Sequence, residues 1–170
     1  ILIVTDRTIA QMGLLDDLTK ALSAGGTAHV VFDAITPDAP IPLIEKGIAF
    51  YEKHRCDAIV AFGGGSPMDA AKAIALAVAN RKHPRQLVGY FKGLRSPAPI
   101  YAVPTTAGTG SEVTVAAVVS DPKTNRKLVI ADTSDPILDS VVIIKSHSLS
   151  TTRPESCNDG RDNDDDGYAD

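Results

Sequence analysis

Three consecutive glycines followed by a serine, Gly63, Gly64, Gly65 and Ser66, carry the clearest chemical signal in the chain. Glycines let a backbone bend sharply and let a ligand approach where a Cβ would stand, and the free amides at a helix start attract phosphate. The spacing is neither a G-x-G-x-x-G fingerprint nor a G-K-[ST] P-loop, so a tight turn that binds nothing stands beside phosphate binding as the other reading. A second polar stretch, PTTAGTGSEVT at 104–114, sets hydroxyls and glycines directly after an apolar run. Its plain alternative is a turn whose hydroxyls cap their own backbone. Asp6 closes a further apolar run at 1–5. At the far end, CNDGRDNDDDGYAD at 157–170 spaces Asp162, Asp164 and Asp166 ahead of Gly167 in the manner of a calcium loop, with Asp170 as a further ligand. A disordered acidic tail is the competing reading of that run.

Alternating strands and helices position these residues. ILIVT at 1–5 reads as a strand, and 12–22 carries apolar residues at helical spacing until Gly25 and Gly26 stop it. AHVVF at 28–32 is the second strand, followed by a proline-bearing loop at 36–42 and a helix through Ile44, Ile48 and Tyr51. The third strand, 58–62, runs into the glycine turn and an alanine-rich helix reaching Ala79. Ser66 is the expected N-cap of that helix, Pro67 its first residue and Asp69 an acidic group in its first turn. Strands separated by helices of this length need crossover connections, so the sheet is parallel and the fold class is α/β, Rossmann-like with flanking helices. Residues 80–99, basic and rich in Gly and Pro, read as a surface excursion with a short helical piece near 86–91 and solvated charges. A strand at 100–103 precedes the threonine-rich loop, and strands at 115–120 and 127–130 form a β-hairpin around DPKTNR. Residues 141–144 are the expected last strand. In open α/β sheets ligands bind outside the carboxyl ends of the strands, where Asp6, the glycine turn and the threonine loop all emerge. A ligand crevice there is the expectation. Lys127, judged on its neighbours alone, is a solvated lysine beside a hairpin turn.

Composition narrows the classes. A chain of 170 residues with 44% hydrophobic content buries one core of ordinary size, here with a short appendage. It has no apolar stretch of about 18 residues or more, which argues against a membrane span. There is no signal peptide, and the opening at Ile1 inside an apolar run reads as a piece of a longer chain. The net charge is −4, but residues 157–170 hold six Asp and one Arg, a net of −5, which leaves the rest at +1. The main body has no broad basic patch, which argues against a nucleic-acid partner on charge grounds. Cys56 and Cys157 are too few and too far apart for a disulfide framework, which suits a reducing compartment, the cytoplasm.

Taken together, VTD at 4–6, GGGSPMDAAKAIA at 63–75, PTTAGTGSEVT at 104–114 and the pair Arg126 and Lys127 resemble the iron-containing, group III alcohol dehydrogenase family. The resemblance runs over 1–156 and is nearest to propanediol and lactaldehyde-type reductases. It implies an N-terminal dinucleotide-binding α/β domain, a C-terminal helical domain holding one divalent iron or zinc, and a homo-oligomeric full-length protein. The implied reaction is hydride transfer between a small primary alcohol or aldehyde and NAD, with the metal polarising the substrate oxygen. On this resemblance Asp6 accepts hydrogen bonds from the adenosine ribose and favours NAD over NADP, while Gly64, Gly65 and Ser66 hold the pyrophosphate. Asp69 matches an acidic position near the nicotinamide. Thr105, Thr106, Thr109 and Thr114 match a loop contacting adenine, ribose and phosphates, and Lys127 matches a lysine reaching the ribose, which reverses its reading as merely solvated.

The family's metal ligands, one Asp and three His, belong to the helical domain, and their first motif is expected just after Ser156, where the acidic run stands instead. His29, His54, His83 and His147 read as surface or packing residues. The expectation is a cofactor domain at 1–156 that is inactive by itself, followed by the tail at 157–170. The alternative is a non-catalytic nucleotide-binding or calcium-binding fragment.

Overall fold

The computed structural model describes residues 1–90 and 92–131. In chain order these form β1 (Leu2–Asp6), α1 (Arg7–Gln11), α2 (Asp16–Ala24), β2 (Val30–Ile35), α3 (Ile41–Lys53), β3 (Ile59–Gly63), α4 (Gly65–Asn80), β4 (Gly89–Tyr90), β5 (Ile100–Pro104), β6 (Ala116–Asp121) and β7 (Arg126–Ala131). Short 3₁₀ turns lie at Pro84–Leu87 and Ser111–Val113. The expected strand at 141–144 and the acidic run carrying Asp162, Asp164, Asp166 and Asp170 lie outside the described residues.

Four strands make a parallel sheet in the order β2-β1-β3-β5, as the βα alternation predicts. Their runs are continuously apolar because both faces are covered. Leu2, Val4, Ile59, Ala61 and Ala102 point into the larger core with α3 and α4. Ile3, Val60 and Val103, one residue out of phase, meet Ile9 and Leu15 on the opposite face. The chain steps from β1 outward to β2 and then back across to β3, so the strand order reverses between β1 and β3. That reversal places the crevice.

α4 is apolar almost all round, and it is buried almost all round. It packs on β1, β3 and β5 along one side and on β6 and α3 along others. Its alanines allow such close approach. Gly47 on α3 extends the same logic, since a Cβ there would lie 2.5 Å from Ile74 Cδ1.

The hairpin expected at 115–130 is present as β6 and β7, but it belongs to a separate three-stranded sheet, β4-β7-β6. β4 comes from the stretch expected to be a surface excursion, and the helical piece lies at Pro84–Leu87 rather than 86–91. The charge there is not simply solvated: Arg85 makes a two-pronged ion pair with the buried Asp121, Nε to Oδ2 at 3.0 Å and Nη2 to Oδ1 at 2.7 Å.

Two helix starts differ from expectation. The helix expected at 12–22 begins later, as α2 at Asp16, and a short helix that the spacing did not predict, α1, precedes it. Asp6 caps α1 by accepting the Ile9 N–H at 2.9 Å, the chain turns at Gly13 with φ +72°, and α2 restarts with Asp16 and Asp17 in its first turn. α4 begins earlier than expected, with Gly64 rather than Ser66 at the N-cap. Ser66 and Pro67 are its second and third residues, and Asp69 lies beyond the first turn.

Candidate functional site

A crevice of about 540 Å³ opens at the carboxyl ends of β1, β2, β3 and β5. One wall is Asp6 with Arg7 and Thr8, another is Thr36 and Pro37 after β2, the floor is Gly64, Gly65 and Ser66, and Thr105 and Thr106 close the far side. Its volume is in the range of ordinary ligand pockets.

The floor is shaped by glycine. Gly63 sits at φ +147°, and a Cβ there would lie 2.8 Å from Pro67 Cγ, so no other residue fits without strain. A Cβ on Gly64 would stand 3.2 Å from Thr106 Oγ1 and fill the gap between the two loops. Gly65 has more room, its nearest neighbour being Thr109 at 3.8 Å. No side chain caps α4 at Gly64. Among the described residues the Gly65 and Ser66 amides, the first donors of a buried 16-residue helix with its dipole behind them, have no partner. That donor set, with a Cβ-free approach to it, fits an anionic diphosphate.

Asp6 stands across the crevice from these donors. Its Oδ1 is committed to the α1 cap, which fixes the carboxylate in place. Directly before it, Thr5 is fully buried, and its hydroxyl has no partner among the described residues. Ser66 Oγ accepts the backbone N–H of Asp38 at 3.1 Å, and Asp38 Oδ1 accepts from Lys127 Nζ at 2.8 Å. Lys127 thus stands near the crevice rim through Asp38, not on its wall.

The other expected site residues form a second polar cluster on the far flank of α4. Asp69 Oδ1 accepts from the Ser111 hydroxyl, and Asp69 Oδ2 accepts the Val118 N–H at 3.0 Å. Lys72 Nζ lies 3.5 Å from Asp69 and donates to Ser111 Oγ and Thr114 Oγ1, each at 3.1 Å, and to the Ala116 carbonyl at 2.9 Å. Burial pushes the Lys72 ammonium below its ordinary pKa, and Asp69 beside it pulls back against that shift. Thr109 donates to Glu112 at 3.4 Å and stands over Gly65. The structure therefore gathers Asp6, Gly64, Gly65, Ser66, Thr105 and Thr106 around one crevice, and places Asp69, Thr109 and Thr114 where the loop and hairpin meet α4.

Sequence reasoning missed Asp38 and Lys72. Asp38 emerges from the carboxyl end of β2, so the rule that located the other loops applies to it equally. Lys72 lies one turn from Asp69, a spacing that pairs opposite charges on a helix. Among the described residues no group of His, Cys, Asp and Glu is arranged to hold a metal ion. His29 lies against the Thr27 carbonyl, His54 stacks on Phe50 and His83 caps the 3₁₀ turn, while His147 lies outside the described residues. Nor is any described helix long and apolar enough to cross a membrane.

Comparison with known proteins places this geometry in context. A family model described as iron-containing alcohol dehydrogenase matches residues 1–146. Lactaldehyde reductase of Escherichia coli K12 is 37% identical over 136 residues, covering 79% of this chain and 36% of that enzyme. Among solved structures, a 1,3-propanediol oxidoreductase superposes with a TM-score of 0.74 at 35% identity, covering 77% of this chain and 34% of its own. Sulfoacetaldehyde reductase from Bifidobacterium kashiwanohense, solved in complex with NAD+, gives 0.67 at 30% identity, covering 78% and 35%. The chain spans little more than a third of the length of these relatives.

Proposed function

The chain belongs to the iron-containing alcohol dehydrogenase family, and from that premise we propose that it is the NAD-binding part of a metal-dependent alcohol dehydrogenase acting on a small alcohol or aldehyde. The observation that carries the reading is the uncapped start of α4 opening into a crevice at the strand-order reversal, with a fixed carboxylate opposite.

In this reading the Gly65 and Ser66 amides and the Ser66 hydroxyl donate to the pyrophosphate, while Gly63 and Gly64 keep the approach clear. Asp6 accepts from the adenosine ribose hydroxyls and repels a 2′-phosphate, which makes the site selective for NAD over NADP. Thr105 and Thr106 supply hydroxyls along the opposite wall, and Thr109, Thr114, Asp69 and Lys127 hold the loop and hairpin that border it. Bound NAD supplies the hydride acceptor. The described residues offer the divalent metal no ligand set, so no step of the reaction is assigned through it here.

Calorimetric titration of the chain with NADH and with NADPH tests the reading. Asp6→Asn is the informative variant, because asparagine still caps α1 while losing the charge. Saturable NADH binding, with a preference over NADPH that narrows in Asp6→Asn, is the expected result. A folded chain that binds neither nucleotide would overturn it.

A further inference from the structure

His83 heads the 3₁₀ turn Pro84–Leu87, away from the crevice residues, and engages both of its ring nitrogens. Nδ1 accepts the Arg85 backbone N–H at 3.1 Å, and Nε2 is in hydrogen-bond contact with Glu45 Oε1 of α3. The backbone N–H of His83 donates to Gln86 Oε1 at 2.9 Å, and the Gln86 N–H returns to the His83 carbonyl at 2.9 Å. The turn is thus capped by its leading side chain and tied through it to α3.

Those two ring contacts agree on one protonation state. An N–H aimed at Nδ1 needs the lone pair there, and an ionised carboxylate at Nε2 can only accept, so the ring is neutral with its proton on Nε2. A second proton has only Nδ1 to go to. It turns that nitrogen into a donor facing another donor, while the charge gained strengthens the contact with Glu45. Charging the ring therefore keeps it on the helix and releases the turn. Both side chains are 41% exposed, so solvent protons reach the ring.

What the turn carries gives this change its reach. Arg85 holds the buried Asp121 of β6, Leu87 is fully buried, Val88 bridges to Ile130, and Gly89–Tyr90 pair with β7. The charged groups facing this corner are Glu45 from α3, Arg85 within the turn and Asp121 from β6 behind it. Lys82, just before the ring, bonds the Lys92 carbonyl at 2.8 Å, and Arg81 at the C-cap of α4 is exposed. Of the side-chain types gathered there, only imidazole ordinarily changes charge between about pH 5 and 8.

We infer that His83 is a proton-operated latch between α3 and the hairpin sheet. Neutral, it caps the turn that carries Arg85 to Asp121; charged, it stays paired with Glu45 and lets the turn loosen. The latch is independent of what the crevice binds.

NMR of the ¹⁵N-labelled chain at about pH 8 and about pH 5 tests it. At the higher pH His83 should show a bare Nδ1 and a protonated Nε2. On acidification both nitrogens should carry protons, and the Arg85 amide resonance should move with the same midpoint. Hydrogen exchange at Gln86, corrected for its intrinsic pH dependence, should speed up about fivefold as the cap is lost. His83→Asn keeps a capping side chain that does not titrate, so its corrected Gln86 exchange should be the same at both pH values. A proton on Nδ1 at the higher pH overturns the inference, as does an Arg85 amide that ignores the His83 titration. Wild-type Gln86 protection that is equal at both pH values overturns it too, and so does equal loosening of wild type and His83→Asn in acid.

Discussion

Lys72 and Asp69, one turn apart on α4, together clasp the free edge of β6: Lys72 Nζ donates to the Ala116 carbonyl at 2.9 Å and Asp69 Oδ2 accepts the Val118 N–H at 3.0 Å. Two side chains thus stand in for a neighbouring strand, and Ser120 continues the edge by bonding the Asp38 carbonyl. An edge strand left with open donors and acceptors is a site for unwanted pairing, and this one is closed by the same helix that floors the crevice. Lys72→Met leaves a largely buried carboxylate without its cation, with side-chain exposures of only 10% and 15% for Lys72 and Asp69. Urea unfolding should show a loss of about 3 kcal/mol, the range found when one partner of a buried pair is removed. A loss below about 1 kcal/mol would show that the clasp does not hold the two sheets together.

Gly47 is the close contact between α3 and α4. A Cβ added there would meet Ile74 Cδ1 at 2.5 Å and Phe32 Cε1 at 3.3 Å, and Ile74 is fully buried with little room to turn aside. Gly47→Ala sets helix propensity, which favours alanine by about 1 kcal/mol, against overpacking, which costs about 1–3 kcal/mol. Overpacking should win, and chemical denaturation should show a net loss of stability with an unchanged slope. A stabilised variant would mean that the helices separate without penalty.

Thr5 presents the opposite case, a buried group that gains nothing from its polarity. Its side chain is fully buried near the end of β1, and its hydroxyl has no partner among the described residues. Thr5→Val keeps the shape and removes the unmet hydrogen bond, a change worth about 1 kcal/mol in the stabilising direction. For a chain of this size the thermal midpoint should rise by roughly 2–4 °C. A lower midpoint would mean that the hydroxyl finds a partner in solution.

The sheet was legible in the sequence because strands covered on both faces read as unbroken apolar runs, and the glycine turn because no other residue tolerates Gly63's φ of +147°. The crevice followed from those strands, since Asp6, Gly64 and Thr105 all emerge at carboxyl ends. What escaped reading had local causes or distant ones. Locally, Asp6 caps a short α1 that lacks enough residues to show periodicity, and Gly64 takes the N-cap two residues ahead of a serine with better capping chemistry. At a distance, Arg85 finds Asp121 and Lys127 finds Asp38 across folds of the chain that no spacing rule connects. The stretch at 80–99 looked like a loop because its one strand, Gly89–Tyr90, is two residues long.

The Arg85–Asp121 pair sets how the fold responds to acid. Asp121 is buried, accepts both guanidinium bonds and also takes the Lys123 N–H at 3.0 Å. The hydrogen bonds from Arg85 lead in holding its pKa down to about 2, against the ordinary carboxylate value of about 3.9. Because the folded state binds this proton less readily than the unfolded one, the carboxylate stabilises the fold above about pH 4, and that stabilisation is lost as pH falls toward about 2. Thermal midpoints measured from pH 7 down to pH 2 should be flat at first for this group and then fall across that window. Asp121→Asn should start lower at neutral pH, because Arg85 loses its counter-charge, and should decline less steeply in acid. Parallel acid declines for the two chains would show that Asp121 does not carry the response, and that other carboxylates set it.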